Sequence, residues 1–376
     1  MKSCLLLTGH FAQQKRRGAM LWIAEHLWSM GWHVTLASVG YSWASALKGD
    51  ARLRHLPSPP RHGIAQHKAR FDTIFQKTPI HPFPTKIDLL DRCVGALQDP
   101  LFRRPWVRVL KPIAQSCRMI LVESGAPVVL APDLRRLAPD AQLIYRVNDD
   151  LRHLSAPDRH IHAERDAMCH FDRISTGSPH LAARFFGHPN VTLDPMGVPR
   201  KALEHVGPSP FAGETAVQAV CAGTTQFAAH DLCRLASEQP DWRIHVFGRL
   251  KTPGALPANV VPHGETAFSE VMRYVAHAHV GLAPYPNVAG IEYQAAHSNR
   301  ILLYQHFGLP ILAPARLCVV AEDVWDIRDL AAQRRAATSP RRPQAIPDWS
   351  VLALRLIQNA EMEPVPDVTS VPEMAV

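Results

Sequence analysis

The chain lacks several features that would place it in a large functional class at once. Its seven cysteines are scattered and contain no Cys-x-x-Cys pair. This pattern is typical of reduced thiols in a cytoplasm and argues against a disulfide framework or a zinc site. No window approaches the ~18 uncharged apolar residues of a membrane-spanning helix, so we expect the body of the protein to be soluble.

The glycine-rich and metal-binding motifs of common enzyme classes are also missing. The loop after the first apolar run reads Thr-Gly-His-Phe-Ala-Gln over 8–13, without the Gly-x-Gly-x-x-Gly of nicotinamide binding. The sequence contains neither a P-loop nor the Gly-x-Ser-x-Gly elbow of α/β-hydrolases. It also has no Asp-x-Asp metal motif, so we expect a mechanism without metal or cofactor.

The length of the chain and the distribution of its charges are informative. At 376 residues the chain exceeds what one hydrophobic core usually supports, so we expect two domains. Residues 1–200 carry 27 Lys and Arg against 16 Asp and Glu, whereas 201–376 carry 14 against 17. The first half should therefore prefer an anionic partner, which nucleic acid, anionic lipid and a phosphorylated substrate all satisfy.

Short apolar runs alternate with amphipathic stretches along most of the chain, which predicts βα units and parallel sheets. Strands are predicted at 3–8, 33–38, 119–123, 142–147, 173–176, 191–194, 216–221, 242–247, 259–262, 279–283 and 310–312. Helices are predicted at 17–30, 86–98, 158–171, 179–186, 229–238, 266–277 and 299–307. A Pro- and Gly-rich linker at 206–213 predicts Rossmann-like domains over 1–205 and 206–345 with a cleft between them. Residues 346–376 are predicted to form a helix and a disordered tail.

The predicted strand at 142–147 ends abruptly in Asn148-Asp149-Asp150. Carboxylates just past the carboxyl end of a buried parallel strand point into the crevice where open α/β sheets carry out their chemistry. An Asn-Asp turn that caps the next helix is the other interpretation.

The helix predicted over 299–307 has well-marked ends, with Ser298 or Asn299 as N-cap and Gly308 as stop. Arg300 then lies in the first turn, where the helix dipole disfavours a cation. A bound anion would reverse that sign, which suggests a cradle for a diphosphate. A solvent-exposed arginine without a ligand is the alternative.

Two basic segments of the first half predict contact with phosphate or membrane. Lys15, Arg16 and Arg17 open a helix, and either an anion or solvent could accommodate them. Residues 97–111 mix Arg103, Arg104 and Trp106 with apolar side chains, as an interfacial segment does. Pro105 and Pro112 in this stretch argue against a long regular helix, and a buried domain helix is the alternative.

Several short blocks, collinear over some 300 positions, resemble glycosyltransferase family 70, the GumK-like xanthan-pathway β-glucuronosyltransferases. The blocks are Lys15-Arg16-Arg17, Lys48-Gly49-Asp50, His81-Pro82-Phe83, Val122-Glu123-Ser124-Gly125, Tyr145-Arg146, Gly264-Glu265, Leu282-Ala283-Pro284-Tyr285 and Phe307-Gly308-Leu309-Pro310. The resemblance implies a GT-B fold, α/β with two Rossmann-like parallel-sheet domains and an interdomain cleft. It further implies transfer, with inversion, of a sugar from a UDP-sugar to a polyprenyl-diphosphate-linked oligosaccharide in exopolysaccharide assembly.

The resemblance also implies roles for particular residues. The general base falls on Asp149; turnover retained by Asp149→Asn would move that role to Glu123 or Asp150. Donor binding falls on Arg300, Ser298, Asn299, Tyr285, Glu265, Thr266 and Thr225. Together with the basic segments above, contact with acceptor, phosphate or membrane is predicted for Lys15, Arg16, Arg17, His81, Glu123, Arg103, Arg104 and Trp106. The implied location is cytoplasmic, peripheral on the anionic inner face of the cell membrane.

Departures from the family pattern bear on which sugar is transferred. Leu303, Pro199 and Ala228 stand where the family carries Gln, Asp and Asp. Glucuronic acid is expected, with another UDP-sugar as the alternative. A transferase without turnover and a basic nucleic-acid- or membrane-binding protein remain open, although aromatic platforms for nucleic acid are missing among the arginines.

Overall fold

The computed structural model describes residues 2–14, 17–43, 56, 61–79, 88–154, 158–250 and 254–358. The chain divides into two units, which we call unit 1 and unit 2. Unit 1 comprises Met1–Asp194 and the segment that begins at Leu352, and unit 2 comprises Pro195–Val351.

Unit 1 is organised around a sheet whose described strands number eight, in the order β3-β4-β2-β1-β5-β6-β7-β8. The strands are β1 (Ser3–Thr8), β2 (His33–Ser38), β3 (Gly63–Lys68), β4 (Phe71–Phe75), β5 (Met119–Glu123), β6 (Gln142–Val147), β7 (Arg173–Thr176) and β8 (Val191–Leu193). Only β3 and β4 pair antiparallel among them. The central strands β1, β5 and β6 are almost wholly buried, as parallel strands with helices on both faces must be.

Unit 2 has a parallel sheet whose described strands number six, in the order β11-β10-β9-β12-β13-β14. The strands are β9 (Val217–Ala222), β10 (Trp242–Phe247), β11 (Val260–Gly264), β12 (Val280–Leu282), β13 (Ile311–Ala313) and β14 (Val324–Asp326). The strand order reverses at β9, which lies between β10 and β12. In open α/β sheets, ligands bind outside the carboxyl ends of the strands at such a switch point.

Helices connect the strands in both units. Those described are α1 (Ala19–Ser29), α2 (Asp88–Ala114), α3 (Ala131–Leu137), α4 (Asp158–Ala167), α5 (Pro179–Ala183), α6 (Arg200–Leu203), α7 (Ala229–Glu238), α8 (Phe268–His277), α9 (Gln294–His297), α10 (Asn299–Phe307), α11 (Ala315–Cys318), α12 (Leu330–Thr338) and α13 (Trp349–Ile357). Three short 3-10 helices cover Ala126–Leu130, Met168–His170 and Ile291–Tyr293. None of the helices in the described ranges is long and apolar enough to cross a bilayer.

The long helix α2 corrects the expectation that prolines would interrupt this stretch. It continues for 27 residues with Pro100, Pro105 and Pro112 inside it. Each proline removes one backbone hydrogen bond and strains the preceding turn. Phe102, Trp106 and Leu110, spaced four residues apart, are buried on one face. Burial of this apolar stripe against the unit outweighs the local cost of the prolines.

The boundary between the units falls earlier than the predicted linker at 206–213, which lies within unit 2. Hydrogen bonds explain the difference, because the chain after Pro195 contacts a segment of unit 2 that is about 150 residues away in the sequence. The amide of Val198 donates to the carbonyl of Pro347 at 2.9 Å. The guanidinium of Arg200 donates to the carbonyl of Ile346 at 2.8 Å. The predicted disordered tail lies outside the described residues.

Candidate functional site

The carboxyl ends of β1, β5 and β6, which are neighbours in the sheet, carry a connected set of polar side chains. Glu123, the last residue of β5, accepts hydrogen bonds from the amide of Gly9 at 3.1 Å, the side chain of Asn148 at 2.7 Å and the hydroxyl of Thr8. Its carboxylate is buried. We expected Glu123 to contact acceptor, phosphate or membrane, but the structure makes it an internal support that ties three strand ends together.

Asp149 lies at the same sheet edge, on the turn that follows β6. The hydroxyl oxygen of Ser124 accepts from the backbone amides of Asn148 at 3.2 Å and of Asp149 at 3.3 Å. One oxygen therefore holds both peptide groups on either side of Asn148. Asp149 itself is only partly buried, whereas Asn148 and Asp150 on either side of it are buried.

Arg146, in the strand β6 that precedes this turn, anchors the turn through hydrogen bonds. Its fully buried guanidinium donates to the side-chain oxygen of Asn148 at 3.2 Å, to the hydroxyl of Ser175 at 2.9 Å and to the carbonyl of Asp194 at 3.0 Å. Burial lowers the pKa of Arg146 to about 10, so it remains charged at neutral pH. Asn148 thus accepts from Arg146 and donates to Glu123, which leaves its side chain one orientation.

Asp150, the alternative general base, forms ion pairs with two arginines. Its carboxylate lies 2.6 Å from a guanidinium nitrogen of Arg152 and 3.3 Å from one of Arg184. Burial acts to raise the pKa of Asp150, but hydrogen bonds from Arg152 and the charge of Arg184 outweigh it and hold that pKa below its ordinary value. Among the three acids considered as base, Asp149 is the partly exposed one.

In unit 2, helix α10 begins where the sequence predicts. The side chain of Ser298 caps it by accepting from the amide of Ile301 at 3.3 Å, and Gly308 ends it in the left-handed conformation at φ 71°. The hydroxyl groups of Ser298 and Tyr285 form a short hydrogen bond. Because Tyr285 follows β12, this contact joins the start of α10 to the carboxyl edge of the sheet.

Arg300, in the first turn of α10, is buried at 6% exposure, which excludes the solvent-exposed alternative. Its guanidinium carbon lies 4.7 Å from the centre of the Tyr285 ring, and Nη2 donates to the carbonyl of Thr225 at 3.2 Å. Among the described residues, Nε and Nη1 have no hydrogen-bond partner. A buried guanidinium without a carboxylate is costly, and a nearby anion would offset that cost.

The remaining donor candidates follow the same sheet edge. Thr225 contributes its carbonyl to Arg300, and Asn299 is exposed at the first position of α10. Glu265 lies beyond β11 with a carboxylate oxygen 3.8 Å from Nε of Arg249. The hydroxyl of Thr266 lies 3.3 Å from the carbonyls of His263 and Gly264. The structure therefore groups Tyr285, Ser298, Thr225 and Arg300, and leaves Glu265 and Thr266 two strands away.

The residues of unit 1 that were predicted to bind phosphate or membrane differ in their exposure and contacts. Lys15, Arg16 and His81 lie outside the described residues. The guanidinium of Arg17 lies 4.8 Å from the ring centre of Trp22. Nε of Arg103 pairs with Asp133 at 2.6 Å, and Arg104 is exposed.

The expectation that Trp106 contacts a membrane is corrected by its position. Trp106 is 0% exposed, on the inward face of α2. The apolar members of 97–111 were expected to face lipid. Three of them instead form the stripe that packs α2 against unit 1, so only the outward face of the helix is available to a membrane.

Comparisons with known proteins relate both the sequence and the fold to glycosyltransferases. Residues 6–177, within unit 1, match the family described as "Glucuronosyltransferase GumK, N-terminal domain". The chain is also 29% identical over 317 residues to the UDP-glucuronate:glycolipid 2-beta-glucuronosyltransferase of Xanthomonas campestris pv. campestris, covering 82% of this chain and 76% of that protein. The chain is therefore similar to this glucuronosyltransferase over most of its length. The resemblance inferred from the collinear blocks is thereby confirmed.

Solved structures with the same architecture are more distant in sequence. A trehalose-6-phosphate synthase, OtsA, has a TM-score of 0.58 at 13% identity, covering 95% of each chain. A trehalose-6-phosphate structure from E. coli bound with UDP-2-fluoro glucose has a TM-score of 0.57 at 13% identity, covering 94% of each chain. At such identities the likeness shows the fold alone, and it confirms the predicted GT-B fold.

Proposed function

We propose that this chain is an inverting, metal-independent glycosyltransferase that transfers glucuronic acid from UDP-glucuronate to a polyprenyl-diphosphate-linked oligosaccharide in exopolysaccharide biosynthesis. The observation that carries the proposal is the buried guanidinium of Arg300, with two unused donors at the N-terminus of α10. The similarity to a UDP-glucuronate:glycolipid 2-beta-glucuronosyltransferase supports the donor and the class of acceptor.

Arg300 and the first turn of α10 supply what a departing nucleoside diphosphate needs. As the bond between the sugar and the diphosphate breaks, negative charge grows on the β-phosphate. Fixed donors that already point at that charge stabilise it without reorganisation. A guanidinium and a helix N-terminus can meet this requirement directly, and this is the physical basis for proposing that no metal ion takes part.

Asp149 supplies the other requirement of a single displacement. An acceptor hydroxyl must lose its proton as it attacks the anomeric carbon, and a carboxylate within hydrogen-bond reach can accept it. The support comes from the turn, where Ser124 holds both amides and Arg146 and Glu123 hold Asn148. A base on so constrained a turn keeps its position between turnovers.

We further propose that the outward face of α2 contacts an anionic membrane, because a lipid-linked acceptor must be met at a membrane surface. Arg104, Arg108 and Lys111 are exposed at spacings of four and three residues, which places them on one side of the helix, and Leu101 on the preceding turn is also exposed. Clustered cations each add about 1 kcal/mol of attraction near an anionic surface.

Vesicle sedimentation tests this part of the proposal. The double variant Arg104→Gln/Arg108→Gln should bind vesicles containing anionic phosphatidylglycerol roughly 30-fold more weakly than the wild type at low salt. Arg334 and Arg335, two exposed residues on α12 of unit 2, provide a matched control when both are changed to Gln. Equal binding by the two double variants would remove α2 from the membrane contact.

A transfer assay tests the function itself. Incubation of the protein with radiolabelled UDP-glucuronate and a lipid extract that contains polyprenyl-diphosphate oligosaccharides should move label into the lipid fraction and release UDP. Label from UDP-glucose should transfer much more slowly. Failure of transfer with every UDP-sugar, in a protein that remains folded, would contradict the proposed function.

A further inference from the structure

An ion pair lies beside the donor site, at the carboxyl ends of β12 and β13. Nη1 of Arg316, on α11, lies 2.7 Å from Oε1 of Glu292, in the 3-10 helix after β12. Burial acts to raise the pKa of Glu292, but backbone hydrogen bonds and Arg316 outweigh it, so the pKa lies below its ordinary value and the acid is charged at neutral pH. Glu292 therefore holds Arg316 as an ion pair.

The pair is connected to the diphosphate site by a short path. The backbone amide of Arg316 donates to the side-chain oxygen of Asn287 at 3.3 Å. Asn287 lies two residues after Tyr285, whose ring faces the guanidinium of Arg300. Because β12 and β13 are adjacent strands, the loop after β12 carries both Tyr285, which contacts Arg300, and Asn287, which contacts Arg316.

The guanidinium of Arg316 is only partly used. Within the described parts of the chain, its side chain makes one hydrogen bond, through Nη1, and the side chain is 44% exposed. Arg328 in the same unit provides the contrast: it is 48% exposed, and both Nε and Nη2 bind the buried carboxylate of Asp231, at 3.0 and 3.1 Å. In Arg328, the Nε and Nη2 edge that can bind a carboxylate bidentately is therefore occupied by Asp231. In Arg316 the same edge remains available for a second carboxylate besides Glu292.

We propose that Arg316, held in place by Glu292, binds the carboxylate of the donor sugar and selects UDP-glucuronate over uncharged UDP-hexoses. This inference rests on the proposed function, and it adds the residue that recognises the carboxylate of the sugar. The chemical logic is that glucuronate and glucose differ at one carbon, where a carboxylate replaces a hydroxymethyl group. A positioned guanidinium discriminates between the two because only the acid offers it an opposite charge and two oxygens for a bidentate pair.

Binding measurements on Arg316→Ala test the inference. We expect its affinity for UDP-glucuronate to fall roughly tenfold or more, while its affinities for UDP and UDP-glucose stay within about threefold of the wild type. Arg328→Ala is the matched control, since it also removes a half-exposed arginine from a carboxylate in unit 2. It should leave the ratio of affinities for UDP-glucuronate and UDP-glucose unchanged.

The other outcomes are equally informative. An unchanged ratio in Arg316→Ala would overturn the inference while leaving the proposed function intact. An equal loss of affinity for UDP, UDP-glucose and UDP-glucuronate would also overturn it, because Arg316 would then support the site as a whole. Wild-type protein that bound none of the three ligands would instead count against the proposed function.

Discussion

Asp149→Asn is expected to lower the rate of sugar transfer by about 10²–10⁴-fold, the usual contribution of a general base. The amide keeps the size and shape of the side chain but cannot accept the proton of the acceptor hydroxyl. Donor binding should be almost unaffected, because Asp149 belongs to unit 1 and the donor candidates belong to unit 2. Initial rates with labelled UDP-glucuronate, together with titration of UDP, separate the two effects.

Asp140→Asn is a suitable control for this experiment. Asp140 is exposed and precedes β6, so it lies at the opposite end of the strand that Asp149 follows. Its replacement should leave the rate of transfer unchanged. Substantial turnover by Asp149→Asn would instead assign the proton acceptor to another group. Glu123 and Asp150 are poor candidates for that group, because their carboxylates already accept hydrogen bonds from Asn148 and Arg152.

Arg300→Met is expected to weaken UDP binding by about 1.5–3 kcal/mol, roughly 10- to 100-fold in Kd, the range for a hydrogen bond to a charged group. Methionine fills much of the space of the arginine stem and lies against Tyr285 without a charge. Removal of a buried cation whose Nε and Nη1 lack partners among the described residues should not unfold the unligated protein. Isothermal titration of UDP measures the loss, and circular dichroism checks the fold.

Arg300→Lys separates charge from geometry at the same position. A lysine keeps the positive charge but cannot present a planar fork, so its affinity for UDP should lie between those of the wild type and Arg300→Met. If Arg300→Met bound UDP as tightly as the wild type, Arg300 would have no part in donor binding, and the buried guanidinium would need another explanation.

Much of the fold follows from the sequence because buried parallel strands are short apolar runs. The bounds of β1, β2, β5, β6 and β7 agree with those predicted. The strand β3 was missed because it lies at the edge of the sheet and reads Gly-Ile-Ala-Gln-His-Lys, with little hydrophobic character. The strand β14 has only three residues, too few for a periodic signal.

The candidate site was partly predictable for a related reason. Helix caps and strand ends are local features, so the positions of Asp149 and Arg300 followed from the sequence. The burial of Arg300 did not, because it depends on loops after β9 and β12 that meet only in the folded unit. Ser124 could have been singled out by the rule that identified Asp149, since it follows β5 directly, as Asn148 follows β6.

Titration of UDP and UMP against the wild-type protein tests the central claim most directly. If Arg300 and the N-terminus of α10 hold a diphosphate, UDP should bind about tenfold or more tightly than UMP, which lacks the β-phosphate. The difference should shrink in Arg300→Met. Equal affinities of the wild type for UDP and UMP, or no binding of either, would contradict the account.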